Sequence, residues 1–186
     1  MEQAVPGAAL FVDVGANIGS ISLAVAAHGH TVVAFEGMPR NADMLHSSLC
    51  ANPDLMPRVT LVAVGLGASP AKCWMFTDLI NRGNGASDCH SATREAAALL
   101  LKATRTVYAY EGEMQVQRLD SFIDSAVRVL KVDVEGLESL VLPGASSLLA
   151  RRTVWFLILE FNVERLSISM APRLPTNLID ELIGYG

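Results

Sequence analysis

The sequence predicts a doubly wound α/β domain with a mostly parallel sheet in the strand order 3-2-1-4-5. Three observations predict it. Short apolar runs end in a carboxylate or a glycine turn: residues 11–19 (FVDVGANIG), Phe35-Glu36, and residues 130–136 (LKVDVEG). Before those ends the runs are mostly apolar, as strands buried on both faces of a sheet should be. Between residues 8 and 64 they alternate with segments of helical period, and a β-α-β-α-β order implies right-handed crossovers and parallel pairing.

Residues 8–14 read as the first strand and 18–28 as a helix closed by Gly29 at C′, with Ile18, Ile21 and Val25 on one face. Residues 31–36 form the second strand. Pro39 suits the first turn of the next helix, which runs to about residue 51 and stops at Asn52-Pro53. A third strand spans 59–64. From about 68 to 117 the rhythm breaks, and an insertion of a β-hairpin and a helix is expected. It contains a strand at 72–77, a loop at 81–85 (NRGNG), a short amphipathic helix at 91–102 and an extended stretch near 107–116. Insertions beside a ligand face often carry substrate selectivity. The regular pattern returns at 119–125. It continues with a strand at 127–132, a helical segment from 137 to about 150 broken by Pro143-Gly144, a strand at 154–159 and a final helix at 176–183. There is no internal repeat, so residues 1–186 read as one domain.

Composition narrows the class. A chain of 186 residues that is 51% hydrophobic can bury a sizeable core. With 14 Lys+Arg against 19 Asp+Glu and no basic stripe, a nucleic-acid partner is disfavoured. Cys50, Cys73 and Cys89 are odd in number and lack C-x-x-C spacing. They read as small buried hydrophobes in a reducing compartment, not as zinc ligands. No basic n-region and no apolar stretch of roughly 18–20 residues is present. A cytoplasmic protein without a membrane span is therefore the expectation.

The motifs point to a nucleoside cofactor. A strand that ends on a glycine turn before a helix offers backbone N–H groups and close approach to a ligand. Residues 15–19 are G-x-N-x-G, however, and Asn17 stands where a pyrophosphate-binding loop needs glycine. A cofactor without a pyrophosphate follows. Asp13, just before the turn, can hold an ammonium or orient the loop. Glu36 lies 21 residues after Gly15 at the end of the second strand, where ribose hydroxyls fall. Asp133 and Glu135 end the fourth core strand and should face Asp13 across the same crevice. Lys131, two residues before Asp133, reads either as an internal ion-pair partner or as a catalytic group. Glu160 closes the run 154–159, with Asn162 beside it, and should face the crevice. Of the four histidines only His90, in the insertion with Asp88, is a candidate to approach a substrate. No metal-ligand spacing appears.

The segments FVDVGANIGSIS, VVAFEGMPRN, VTLVAVGLG, VQRLDSFID, VLKVDVEGLESLVLPGASSLL and LILEFN occur in this order. Together they resemble the Rossmann-like S-adenosylmethionine-dependent methyltransferases, and within them the FkbM family. The resemblance implies that Asp13, Gly15, Asn17 and Gly19 surround the methionine moiety of S-adenosylmethionine. It further implies that Glu36 binds the ribose and that Gly65 and Leu66 approach the adenine. O-methylation of a sugar, polyketide or other small-molecule hydroxyl follows, with Asp133 as first candidate for the base and Glu135, Glu160 and His90 behind it. The chain departs from the family at Glu36-Gly37, where Glu-Pro is usual. It also stops at Gly184-Tyr185-Gly186, where the family's antiparallel hairpin would begin, and the usual helical lead-in before strand one is short. Either the sequence is part of a longer protein, or the fifth strand is left as an open edge. Two other readings are a non-catalytic module that keeps the fold, and a nicotinamide-dependent oxidoreductase, against which the absent middle glycine argues.

Overall fold

A computed structural model of the chain describes residues 9–80, 85–102, 106–163 and 176–185. Its main sheet contains β1 (Leu10–Val14), β2 (Thr31–Phe35), β3 (Val59–Val62), β8 (Val127–Val132) and β9 (Val154–Leu159), in the order β3-β2-β1-β8-β9. All four pairings are parallel. With β8 and β9 counted as the fourth and fifth core strands, this is the order the sequence predicts.

The helix α1 (Ser20–Ala27) ends at Gly29, which takes a φ of 90°. The helix α2 (Pro39–Ala51) runs from the proline to the Asn52 cap. The buried positions of α1 are Ser22 and Ala26, whereas Ile18 and Ile21 remain 42% and 46% exposed. The helical period alone would turn the isoleucines inward. Asp13, fully buried on β1, needs a donor, and Ser22 supplies it from the face that the sheet then covers.

The insertion builds a second sheet of four strands rather than a lone hairpin. It comprises β4 (Gly65–Leu66), β5 (Ala71–Asp78), β6 (Gly85–Asp88) and β7 (Tyr108–Gln117), in the order β4-β7-β5-β6. Gly65 and Leu66 pair with Val116 and Gln117, so they form a short strand of this second sheet. The helix α3 (Arg94–Leu101) begins at Thr93, whose side chain accepts from the Ala96 N–H, and of the predicted loop at 81–85 only Gly85 lies within the described residues. Cys73 and Cys89 form a disulfide, which corrects the reading of three free thiols. The register that sets Trp74 opposite Asp88 also sets Cys73 opposite Cys89, a juxtaposition invisible in their spacing. Cys50 is exposed on α2.

Core side chains lie on both faces of the main sheet. Val12, Val14, Leu130 and Val132 pack with Leu119, Ile123, Leu148 and Leu178, the last on α6 (Thr176–Gly184). Phe11, Val32 and Ala34 pack on the other side with Ala26, Leu45 and Leu49. Pro143 divides the predicted helical segment into α4 (Glu138–Val141), a 3₁₀ turn (Leu142–Ala145) and α5 (Ser146–Ala150). Asp120 caps α5 by accepting from the Ser147 and Leu148 N–H groups at 3.1 and 2.9 Å, and Arg118 pairs with it at 2.7 Å. Residues 118–121 are therefore a structural clasp. At the β9 edge, Phe156 and Ile158 are 56% and 54% exposed. Among the described residues, no helix is long and apolar enough to cross a membrane.

Candidate functional site

The carboxyl ends of β1, β2 and β8 open into a cavity of about 610 Å³, roofed on one side by the second sheet. Asp13, Gly15, Asn17, Glu36, Gly65, Leu66, Asp133 and Glu135 all line it, as does Lys131. Met75 and Ser87 come from the insertion, as does Met114. Sequence reasoning placed no residue of that segment other than His90 near a ligand, and the broken β-α rhythm was the signal available.

The loop after β1 is closed on itself. The N–H groups of Gly15 and Ala16 both donate to the Phe35 carbonyl at 3.0 Å, and that of Asn17 donates to Glu36 Oε2 at 2.7 Å. Those of Ile18 and Gly19 are taken by Asn17 Oδ1 and the Ala16 carbonyl, at 2.8 and 2.9 Å. The free N–H groups expected of a glycine turn are thus absent at residues 15–19, because β2 and the loop's own acceptors absorb them. Such a loop holds no pyrophosphate. Gly15 serves close packing instead, since a Cβ there would lie 1.9 Å from the Asp133 carbonyl oxygen. Gly19 does not line the cavity. A Cβ there would meet Leu45 at 2.1 Å, so this glycine admits the contact between the start of α1 and α2.

Glu36 is 7% exposed, and its two oxygens are each held by one backbone N–H, from Asn17 and from Met38. Burial pushes its carboxyl above the usual glutamate range, against those two hydrogen bonds, which pull it down. Each carboxylate oxygen keeps a lone pair for a donor in the cavity.

Asp13 and Lys131 settle the two readings of the lysine. Register sets them side by side on β1 and β8, and Lys131 Nζ donates to Asp13 Oδ1 at 3.0 Å, to the Gly15 carbonyl at 3.3 Å and reaches Asp133 Oδ2 at 3.3 Å. Ser22 Oγ donates to Asp13 Oδ2 at 2.7 Å. Lys131 is an internal ion-pair partner that ties the loop after β1 to the turn after β8. The ammonium that Asp13 holds is the protein's own.

Glu160 follows β9 beside Asp133, though it does not line the cavity. Burial, the hydrogen bond its protonated form can donate to Asp133, and the charges of Asp133, Glu135 and Glu138 all lift its carboxyl above the usual range. Its Oε2 is buried without a partner among the described residues. His90 is exposed and outside the cavity, its N–H donating to Asp88 Oδ1 at 2.7 Å, so the structure does not bring it to this site. Among the described residues no group of three His, Cys, Asp or Glu is arranged to hold a metal ion.

The sequence profile described as "Methyltransferase FkbM domain" matches residues 13–177. Among solved structures, the chain is similar to the methyltransferase FkbM from Methylobacillus flagellatus KT. The two share 21% identity and a TM-score of 0.52, over 79% of this chain and 31% of that one. A human methyltransferase 10 domain containing protein gives a TM-score of 0.38 at 10% identity, over 82% of this chain and 48% of that one. The first likeness speaks for the fold, and the second is too distant to carry an argument. The chain spans less than half the length of either relative. No curated protein matches it significantly.

Proposed function

The chain belongs to the FkbM methyltransferase family, and from that premise we propose that it binds S-adenosylmethionine in the cavity above β1, β2 and β8 and directs O-methylation of a small-molecule or glycan hydroxyl. The observation that carries the reading is Glu36, a buried carboxylate at the end of β2 that two backbone N–H groups aim into the cavity.

The residues present fit this cofactor. Four carboxylates (Asp13, Glu36, Asp133 and Glu135) line the cavity against two cations, Arg40 and Lys131, so the lining stays net negative after Lys131 pairs with Asp13 and reaches Asp133. That lining suits a ligand carrying an ammonium and a sulfonium, and it disfavours the phosphates of a nicotinamide dinucleotide. The closed loop at 15–19 argues the same way. A volume near 610 Å³ lies within the range of small-ligand sites, on the order of 300–1,000 Å³.

In this reading Glu36 accepts from the ribose hydroxyls, Gly65 and Leu66 border the adenine, and Asp13, Gly15 and Asn17 surround the methionine end. Gly19 supports that loop from behind. When bound, S-adenosylmethionine supplies an electrophilic methyl group. The protein's part is alignment, exclusion of water and removal of one proton from the acceptor hydroxyl, whose pKa lies far above neutrality. Asp133, at the cavity end of β8, is the base that takes it. Glu160 lies beside Asp133 outside the cavity, and Glu135 is the second candidate.

Calorimetric titration of the folded chain with S-adenosylmethionine, S-adenosylhomocysteine and NAD in parallel tests the proposal. Micromolar binding of the first two, lost in Glu36→Ala and absent for NAD, is the result it requires. Binding without methyl transfer to any of a panel of hydroxylated acceptors would leave a cofactor-binding module instead. Binding of NAD alone would overturn the reading.

A further inference from the structure

The turn that follows β8 carries Asp133 and Glu135 into the cavity, and its backbone is unusual. Glu135 and Gly136 adopt φ values of 58° and 97° in succession. A non-glycine residue in the left-handed region costs on the order of 1–2 kcal/mol and persists only where its surroundings hold it. The same turn presses against the loop after β1, because the Asp133 carbonyl occupies the space a Gly15 side chain would need. Something must fix this segment.

Glu138 is fully buried at the start of α4. Its Oε1 accepts from the Val134 N–H at 3.0 Å and from the Gly136 N–H at 3.1 Å, spanning the left-handed Glu135 between them. Its Oε2 is buried without a partner, and it takes part in no ion pair among the described residues. A carboxylate buried without a counterion is costly, so the two hydrogen bonds that offset that cost have a specific job. We infer that Glu138 is a positioning residue: it clamps the turn 133–136 in the conformation that presents Asp133 and Glu135 to the cavity. That this serves methyl transfer rests on the reading given above; the clamp itself does not.

The test replaces Glu138 with Gln, Leu and Asp. Gln keeps one oxygen for both amides, Leu keeps volume without an acceptor, and Asp keeps the charge on an arm too short to reach. Hydrogen exchange at the Val134 and Gly136 amides, followed by NMR, reads the clamp directly. Glu138→Gln should leave both amides protected. In Glu138→Leu or Glu138→Asp, whichever folds, both should exchange about ten- to a hundred-fold faster, as expected for loss of a hydrogen bond to a charged acceptor. Protected amides in a folded Leu or Asp variant, or amides released equally in the Gln variant, would overturn the inference. S-adenosylhomocysteine titrated into the parent in the same samples separates the two ideas. Failure to bind would count against the proposed function and leave the exchange result intact.

Discussion

Replacing Gly15 with alanine would drive a methyl group into the backbone of the neighbouring turn. The added Cβ would lie 1.9 Å from the Asp133 carbonyl oxygen and 2.9 Å from its carbon, at a φ of +78°. The backbone conformation alone costs roughly 1–2 kcal/mol for an L-residue. The clash adds about 1–3 kcal/mol, since overpacked atoms must move and a backbone carbonyl cannot swing aside like a side-chain tip. The Val134 N–H, which shares that carbonyl's peptide plane, is bonded to Glu138 Oε1 at 3.0 Å, which holds the carbonyl in line. Gly29 supplies the control. Its φ is +90°, yet nothing lies within 4 Å of its would-be Cβ. Gly29→Ala should therefore lose only the conformational part, about 1–2 kcal/mol, and Gly15→Ala about 2–5 kcal/mol in all. Urea denaturation of the three proteins measures both. The loops that carry Asn17 and Asp133 would also be forced apart, so S-adenosylhomocysteine binding should weaken in Gly15→Ala and persist in Gly29→Ala. Equal stability losses in the two variants would refute the packing argument.

Further outcomes follow from the same contacts. Lys131→Met strands Asp13 in the interior and should cost about 3–5 kcal/mol, with part of that recovered when Asp13→Asn is added; thermal unfolding of the single and double variants checks it. Glu36 titrates higher in the folded protein than in the unfolded chain because it is buried, so its contribution to stability is complete below the usual glutamate value and is lost as pH rises through the folded one. Relative to Glu36→Gln, the unliganded parent should lose stability with rising pH across the weakly acidic range, as chemical denaturation at a series of pH values would reveal. Affinity for a ribose, which needs the ionised acceptor, should rise over the same interval. The disulfide joins residues 16 apart across β5 and β6, so the double variant Cys73→Ala/Cys89→Ala should be about 2–4 kcal/mol less stable, and unchanged stability would mean the thiols are not paired in solution.

How far the sequence discloses this molecule depends on the range of the interaction involved. The bounds of α2, β8 and β9 are legible because local signals set them: Pro39, Asn52-Pro53 and uninterrupted apolar runs. The convergence of Asp13, Glu36 and Asp133 is legible too, since strand ends in a parallel doubly wound sheet meet at the switch point. Other features depend on which strands lie side by side. The Cys73–Cys89 bond and the Asp13–Lys131 pair follow from register, and only the second was among the readings the spacing allowed. Gly19 sits in a motif that resembles a ligand loop, but its bare backbone accommodates Leu45. Ser22 wins the buried face of α1 over two isoleucines because a buried carboxylate needs its hydroxyl. Glu138 lies in one of the segments that resemble the family, but nothing in that segment separates it from a surface glutamate, and its depth and two amide partners reveal its role.

The central claim is that Glu36 marks a ribose site beside a loop that binds no phosphate. A crystal structure of the chain with S-adenosylhomocysteine tests it most directly. The account predicts the ribose hydroxyls on the Glu36 carboxylate, with the amino-acid end beside Gly15 and Asn17 and the base against Gly65 and Leu66. A ligand seated elsewhere, or with its ribose turned away from Glu36, would contradict it.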